Sequence, residues 1–249
     1  MDTRGIRFRR RRCPAAVAPF ALALAVAVAV SAEAAPAPVS EPAFPAPSRP
    51  VAAVISPSWG DPEQRDRDRE MQEIIRRLGL KSGMSVADIG AGAGYDSLRL
   101  ARALGPTGRV YAEDISADFL HRLGDEARRR RLGNVALVVG KPADPLLPPG
   151  AVDAAILVHM YHEISQPYAL LYHLAASLRP GGLVGVEELD RPTGAHGTPP
   201  RLLVCEFQAV GYSLVSRSDL PGRLGYFAVF RPPTPQHLPV PEAIVPCKE

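Results

Sequence analysis

The chain reads as an α/β protein built on a largely parallel sheet. Three observations say so: short apolar runs alternate with amphipathic stretches over residues 61–231, a glycine-rich turn joins the first run to the helix behind it, and two β-like runs end the block. Apolar strands separated by amphipathic helices imply a sheet covered on both faces. The short connection between the last two runs suits a hairpin, which makes one of them antiparallel to the rest.

Each element has its own signal. Asp61 as N-cap and Pro62 at the first helical position announce a helix whose apolar stripe is Met71, Ile74, Ile75 and Leu78. Its other face, EQRDRDRE, is expected in water. Next come the strand SVADI (85–89), a helix over 96–104, the strand RVYAED (109–114) and a helix over 117–130. VALVV (135–139) and VDAAILV (152–158) follow as strands, then a helix from about Gln166 to Ser177 and the strand GLVGVEEL (182–189). After Pro200 a helix, RLLVCEFQAVG, leads into the runs YSLVSRS and GYFAVFR.

The ends differ from this block. Of 27 prolines among 249 residues, most crowd positions 36–62 and 232–246, so one domain is expected at 61–231, with a proline-rich linker at 35–60 and a proline-rich tail at 232–249. RFRRRR (Arg7–Arg12), the apolar run Ala15–Val30 and the small residues SAEAA have the layout of an export signal, residues 1–34, cut near Ala34. The apolar run is interrupted by Pro19 and shorter than the roughly 20 residues of a membrane span. An exported protein, periplasmic or extracellular, is therefore expected, with an uncleaved tether as the alternative.

Charge and cysteines narrow the class. The formal charge of +3 comes from the leader, which holds six arginines against Asp2 and Glu33, so the remainder is near neutral. The electrostatic footprint of a nucleic-acid binder is missing. The run Arg128–Arg131 ends a helix, where cations suit the helix dipole. Cys205 and Cys247 remain after the leader and could pair in an oxidising compartment, although spacing alone leaves this open. With no CxxC pair and no Cys/His cluster, no metal site is expected.

The informative stretch is ADIGAGAGY. A strand, a glycine-rich turn and a helix form the place where open parallel sheets bind ligands, because N–H groups at the helix start point at an anion. Gly90, Gly92 and Gly94 alternate, and Tyr95 stands where the dinucleotide fingerprint asks for its third glycine. Asp88, read as a carboxylate at the mouth of the turn, would repel phosphates and welcome an ammonium. Asp114 ends the second strand, about 20 residues further on, where a carboxylate can accept both hydroxyls of an adenosine ribose. A ligand with an adenosine, a cation and a carboxylate but no diphosphate is S-adenosylmethionine.

VADIGAGAGYDSLRLA, GPTGRVYAEDIS, VDAAILVHMYHEI and LRPGGLVGVEE together resemble the class I S-adenosylmethionine-dependent methyltransferases, in particular small-molecule-type bacterial members, over about residues 60–231. The resemblance implies a Rossmann-like seven-stranded sheet in the order 3-2-1-4-5-7-6 with strand 7 antiparallel. It implies that Asp88, Gly90, Gly92 and Gly94 contact the methionine part, that Asp114 holds the ribose, and that an acid after strand 3, here Asp144, meets the adenine. Ala91, Tyr95, Ile115 and His159 complete the candidate cofactor set.

Methyl transfer needs alignment of an acceptor with the sulfonium carbon and exclusion of water, and a base only where the acceptor must lose a proton. The candidates follow strand 4 in VHMYHEI: His162 as base, Glu163 to orient it or cap the next helix, and Tyr161 beside them. No Asn or Asp precedes a PPY, and two cysteines are too few for arsenite methylation, so a small-molecule acceptor is expected. The GPTGRVY unit also resembles protein-repair methyltransferases. The competing expectation is a non-catalytic adenosyl-ligand binder that keeps the fold.

Overall fold

The computed structural model describes residues 43–54, 60–220 and 225–249. The export-signal reading lies outside the described residues, and within them no helix is long and apolar enough to cross a membrane.

Seven strands form one sheet in the order β3-β2-β1-β4-β5-β7-β6. They are β1 (Ser85–Ile89), β2 (Arg109–Asp114), β3 (Val135–Val139), β4 (Val152–Val158), β5 (Leu178–Glu188), β6 (Ser213–Asp219) and β7 (Tyr226–Arg231). β1 to β5 pair in parallel, while β7 runs antiparallel to both β5 and β6. The expected architecture and strand order are therefore observed.

Side chains alternate along each strand between two cores. Val86, Val110, Ala154 and Ile156 face α2 (Glu70–Leu78) and α3 (Tyr95–Leu104). Ala87, Ile89, Ala155 and Leu157 share the opposite core with α5 (Pro167–Ser177) and α6 (Pro200–Ala209). Between β2 and β3 runs α4 (Ala117–Arg129), capped by Ser116, which accepts from the Phe119 N–H and covers Ala112 with Leu120 and Leu123.

Three local expectations are corrected. The first helix is two helices, α1 (Pro62–Arg67) and α2, broken at Arg69, whose φ of 57° is left-handed. Its charged face does not all lie in water: Arg65 is 4% exposed and Glu70 fully buried. A guanidinium and a carboxylate with good mutual geometry survive burial, where either alone would not.

The proline-rich ends are docked on the domain. Arg49, from the stretch expected to be a spacer, is buried and pairs with buried Glu206 of α6 at 2.9 Å. In the tail, Ile244 and Cys247 are buried, and Cys247 is disulfide-bonded to Cys205 of α6. Ser48 and Lys248 form a parallel bridge, so the two ends also meet each other. Proline withholds N–H donors from a sheet but leaves single side chains free to anchor a segment.

Candidate active site

A cavity of about 530 Å³ opens at the carboxyl edge of β1, β2 and β4, a size suited to a nucleoside-sized molecule. One wall is backbone. β1 runs into a turn in which Gly90, Gly92 and Gly94 have φ of 71°, 51° and 88°. A Cβ on Gly94 would stand 2.6 Å from Leu123 Cγ, so both conformation and space demand glycine there. The Gly92 N–H donates to Asp114 Oδ2 at 2.9 Å and the Ser116 N–H to Oδ1 at 2.8 Å, which ties the turn to the end of β2.

Of the residues expected to meet the cofactor, Gly90, Ala91, Gly92, Tyr95, Asp114 and Ile115 line this wall, and His159 lines the far side. Three do not. Gly94 sits behind the turn against Leu123. Asp144 belongs to a tight turn with Lys141, its carboxylate accepting the Leu146 N–H at 2.8 Å; Lys141 and Pro142 are the residues of that turn that reach the cavity.

Asp88 is the larger correction. It is 2% exposed beneath the turn and accepts from Ser97 Oγ at 2.6 Å. Burial, and then the neighbouring Asp96, push its carboxyl up to about 8. A residue in mid-sheet points into a core, and only the turn beyond it reaches the mouth. The acid that lines the cavity there is Asp96, held by Arg65 Nη2 at 3.1 Å. Arg65 in turn lies 3.6 Å over the Tyr95 ring and ion-pairs with Glu70. Glu113 also faces the cavity, and burial pushes it up to about 8.

The opposite wall is made of side chains from separate segments. After β4, His159 adopts φ 51° and a 3-10 turn, Tyr161–Glu163, carries His162 and Glu163 into the cavity. His162 Nδ1 stands 2.8 Å from Glu188 Oε1 at the end of β5, a contact that aims Nε2 at the cavity. Glu163 Oε1 is 4.0 Å from that Nε2, and burial pushes its carboxyl up to about 7. His196 lines the same wall, its ring perpendicular to that of His162 at 5.4 Å. His159 Nε2 lies 3.3 Å from Glu187 Oε1, and burial lowers the imidazole's pKa well below the ordinary value.

Tyr161 is not part of the wall. It is fully buried, packs on Phe207 and under the Arg49 guanidinium, and burial raises its phenol well above the usual range. A 3-10 turn sends successive side chains in different directions, so one neighbour of His162 enters the core as the other enters the cavity.

Arg49 and Glu188, which sequence reasoning missed, position His162. Arg49 Nη1 donates to the His162 carbonyl at 3.4 Å, and Nη2 to the Tyr161 and Ile164 carbonyls at 3.3 and 3.4 Å. The Ala52 N–H adds a bond to the His162 carbonyl at 3.1 Å. Glu249 does similar service for the His196 turn, accepting from Thr193 N and Oγ1 at 2.8 and 3.0 Å. A charge in a proline-rich stretch was the one available signal for Arg49, and the doubled acid in GVEEL the one for Glu188.

The glycine turn and the sheet order define a Rossmann-like domain. Residues 86–182 match the family model described as a methyltransferase domain, which together with the sheet order supports the class I S-adenosylmethionine-dependent methyltransferase fold. The chain is 26% identical over 122 residues to the demethylmenaquinone methyltransferase of Geobacillus kaustophilus, covering 49% of this chain and 52% of that one. Over 118 residues it is 30% identical to the nocamycin O-methyltransferase of Saccharothrix syringae, covering 46% and 41%. It thus spans about half the length of the curated relatives it matches. A solved S-adenosylmethionine-dependent methyltransferase from Aquifex aeolicus shares the fold with a TM-score of 0.59 at 20% identity, over 69% of this chain and 97% of that one.

Proposed function

We propose that the protein transfers a methyl group from S-adenosylmethionine to a small-molecule acceptor that enters the cavity beside His162. The observation that carries this reading is one continuous cavity, bounded at one end by the glycine turn with Asp114 and at the other by His162 backed by Glu188. Relatives named for demethylmenaquinone and for nocamycin support the small-molecule class. S-adenosylmethionine, when bound, supplies a methyl carbon on a sulfonium sulfur, whose C–S bond breaks with the electron pair kept by sulfur as the acceptor's lone pair forms the new bond.

The chain's own residues do the rest. Asp114 would accept the ribose hydroxyls, and the start of α3 behind the turn would meet the carboxylate end. Met160 packs under Gly90 and His159 closes the floor, which keeps water from the reacting atoms. His162 Nε2, aimed by Glu188, takes the acceptor's proton and passes it to solvent.

The work is placed in an oxidising compartment outside the cytoplasm, a reading supported by the signal-like leader and the Cys205–Cys247 disulfide. Calorimetric titration of the full-length protein with S-adenosylmethionine and S-adenosylhomocysteine, followed by transfer of labelled methyl to hydroxylated small molecules, tests the proposal. Binding by neither compound to folded protein overturns it. Binding without transfer to any acceptor overturns the catalytic part and leaves a non-catalytic adenosyl-ligand binder.

A further inference from the structure

Two groups of three metal-ligand side chains occur among the described residues, and they differ in what surrounds them. Glu70, His159 and Glu187 are buried together, with Arg65 ion-paired to Glu70, so a guanidinium already supplies the positive charge there. His162, Glu163 and His196 instead all line the cavity wall, and each offers one ligand atom within 4.8 Å of the others.

The second group has the chemistry of a metal centre. Two imidazoles and one carboxylate form a donor set used for zinc and for ferrous iron, with positions left open for a further ligand. His162 has the outer partner that such ligands require: its Nδ1 is held at 2.8 Å by Glu188, a buried carboxylate, which leaves Nε2 as the metal-facing atom. His196 is presented by a turn whose Thr193 is bonded twice to Glu249. Three donors on bonds of about 2.1 Å stand roughly 3.4 Å apart in a tetrahedral set, so modest rotation of the half-buried Glu163 and His196 side chains would close the group on an ion. No two of the three elements involved, the turn after β4, the end of β5 and the turn after it, reveal this by sequence spacing.

We propose that His162, Glu163 and His196 bind a divalent transition-metal ion of the zinc or ferrous class, whose open positions face the cavity and hold oxygen atoms of the acceptor. The acceptor part of this inference rests on the methyl-transfer reading above, while the metal site stands without it. One carboxylate and two neutral imidazoles leave a divalent ion with net positive charge, which selects an anionic oxygen ligand. With its Nε2 lone pair on the ion, His162 would no longer act as the base described above; the ion would instead lower the pKa of an acceptor hydroxyl, whose proton would leave directly to solvent.

Titration of the untagged, metal-free, full-length protein with Co(II), followed by calorimetry and by the visible absorption of the bound ion, tests the site. One equivalent is expected to bind, with affinity falling at least about 100-fold in His196→Gln and in Glu163→Gln, and about 10- to 100-fold in Glu188→Gln, which touches no metal. Circular dichroism confirms that each variant is folded, and acetohydroxamate, a small two-oxygen chelator, is expected to shift the Co(II) absorption. Absence of binding to the wild-type protein, or binding that none of these variants weakens, overturns the metal site; an absorption unmoved by acetohydroxamate overturns the open positions. Binding of S-adenosylhomocysteine is measured on the same samples, so that a protein which binds it but no metal loses this inference alone, and one that binds Co(II) but no adenosyl ligand loses the methyl-transfer reading and with it the ion's acceptor role, while the metal site stands.

Discussion

The two walls of the cavity are built by opposite means. The donor wall is one stretch of backbone, Gly90 to Tyr95, closed by Asp114 from the adjacent strand. The acceptor wall gathers His162 and Glu163 from one turn and His196 from another, with Glu188 of β5 buried behind His162, and it is braced by Arg49 and Glu249 from the two proline-rich ends. A backbone wall depends on local conformation, whereas a side-chain wall depends on every distant segment being packed in place.

The largest test of that contrast is Arg49→Ala. It leaves Glu206 buried without its partner and releases three carbonyls around His162, a loss of about 3–5 kcal/mol by analogy with other broken buried pairs. A fall in melting temperature is expected, with methyl transfer lost and affinity for S-adenosylhomocysteine retained in the folded fraction. The double variant Arg49→Met with Glu206→Met should recover stability but not transfer. If the double variant transfers methyl normally, the brace does not position His162.

Opening the disulfide comes next, because Cys205 adjoins Glu206 on the helix that anchors Arg49. Closing a loop of 42 residues is worth about 2–4 kcal/mol, so reduction or Cys247→Ser should lower the melting temperature by several degrees. The effect is expected on transfer before cosubstrate binding, and a reduced protein with unchanged melting would remove the tail from the support of this wall.

Asp114→Ala tests the other wall. Loss of a charged acceptor costs about 1.5–3 kcal/mol, which corresponds to a rise of about 10- to 100-fold in the Kd for S-adenosylhomocysteine. The Co(II) affinity at the far wall should not change. Calorimetry showing an unaltered Kd would take Asp114 out of the ribose site.

A last test concerns pH dependence. Burial holds Glu113 at about 8 in the folded protein, against about 4.3 in an unfolded chain, with Asp114, Asp88 and Asp144 adding to the rise and the Gly90 N–H opposing it. The folded state therefore binds the extra proton between these values, and stability present below about pH 4.3 is lost as pH rises through about 8. Glu113→Gln should flatten the decline in melting temperature over that range. An identical slope in the variant would show that Glu113 titrates normally.

The fold was legible in detail because each of its signals is local. The alternation of apolar runs, the capping residue Asp61 and the glycine turn all act within a few residues of themselves. The break at Arg69 escaped notice because EQRDRDRE carries no proline or glycine; what turns the chain there is the burial of Arg65 and Glu70 against Asp96, a tertiary event. The spacing from the glycines points to Asp88 at the mouth, yet the pleat of β1 turns it into the core. Tyr161 and His162 are neighbours in sequence with opposite fates for a similar reason.

Sequence by itself therefore determined the sheet, the glycine turn and the acid at the end of β2, since backbone conformation follows from nearby residues and period-two patterning. Tertiary structure alone decided which distant side chains join His162 and Glu163, the two that the sequence points to. The partners His162, Glu188, His196 and Arg49 are far apart along the chain, and a carboxylate or guanidinium is kept in a buried position only by the charge or donor that packing brings to it.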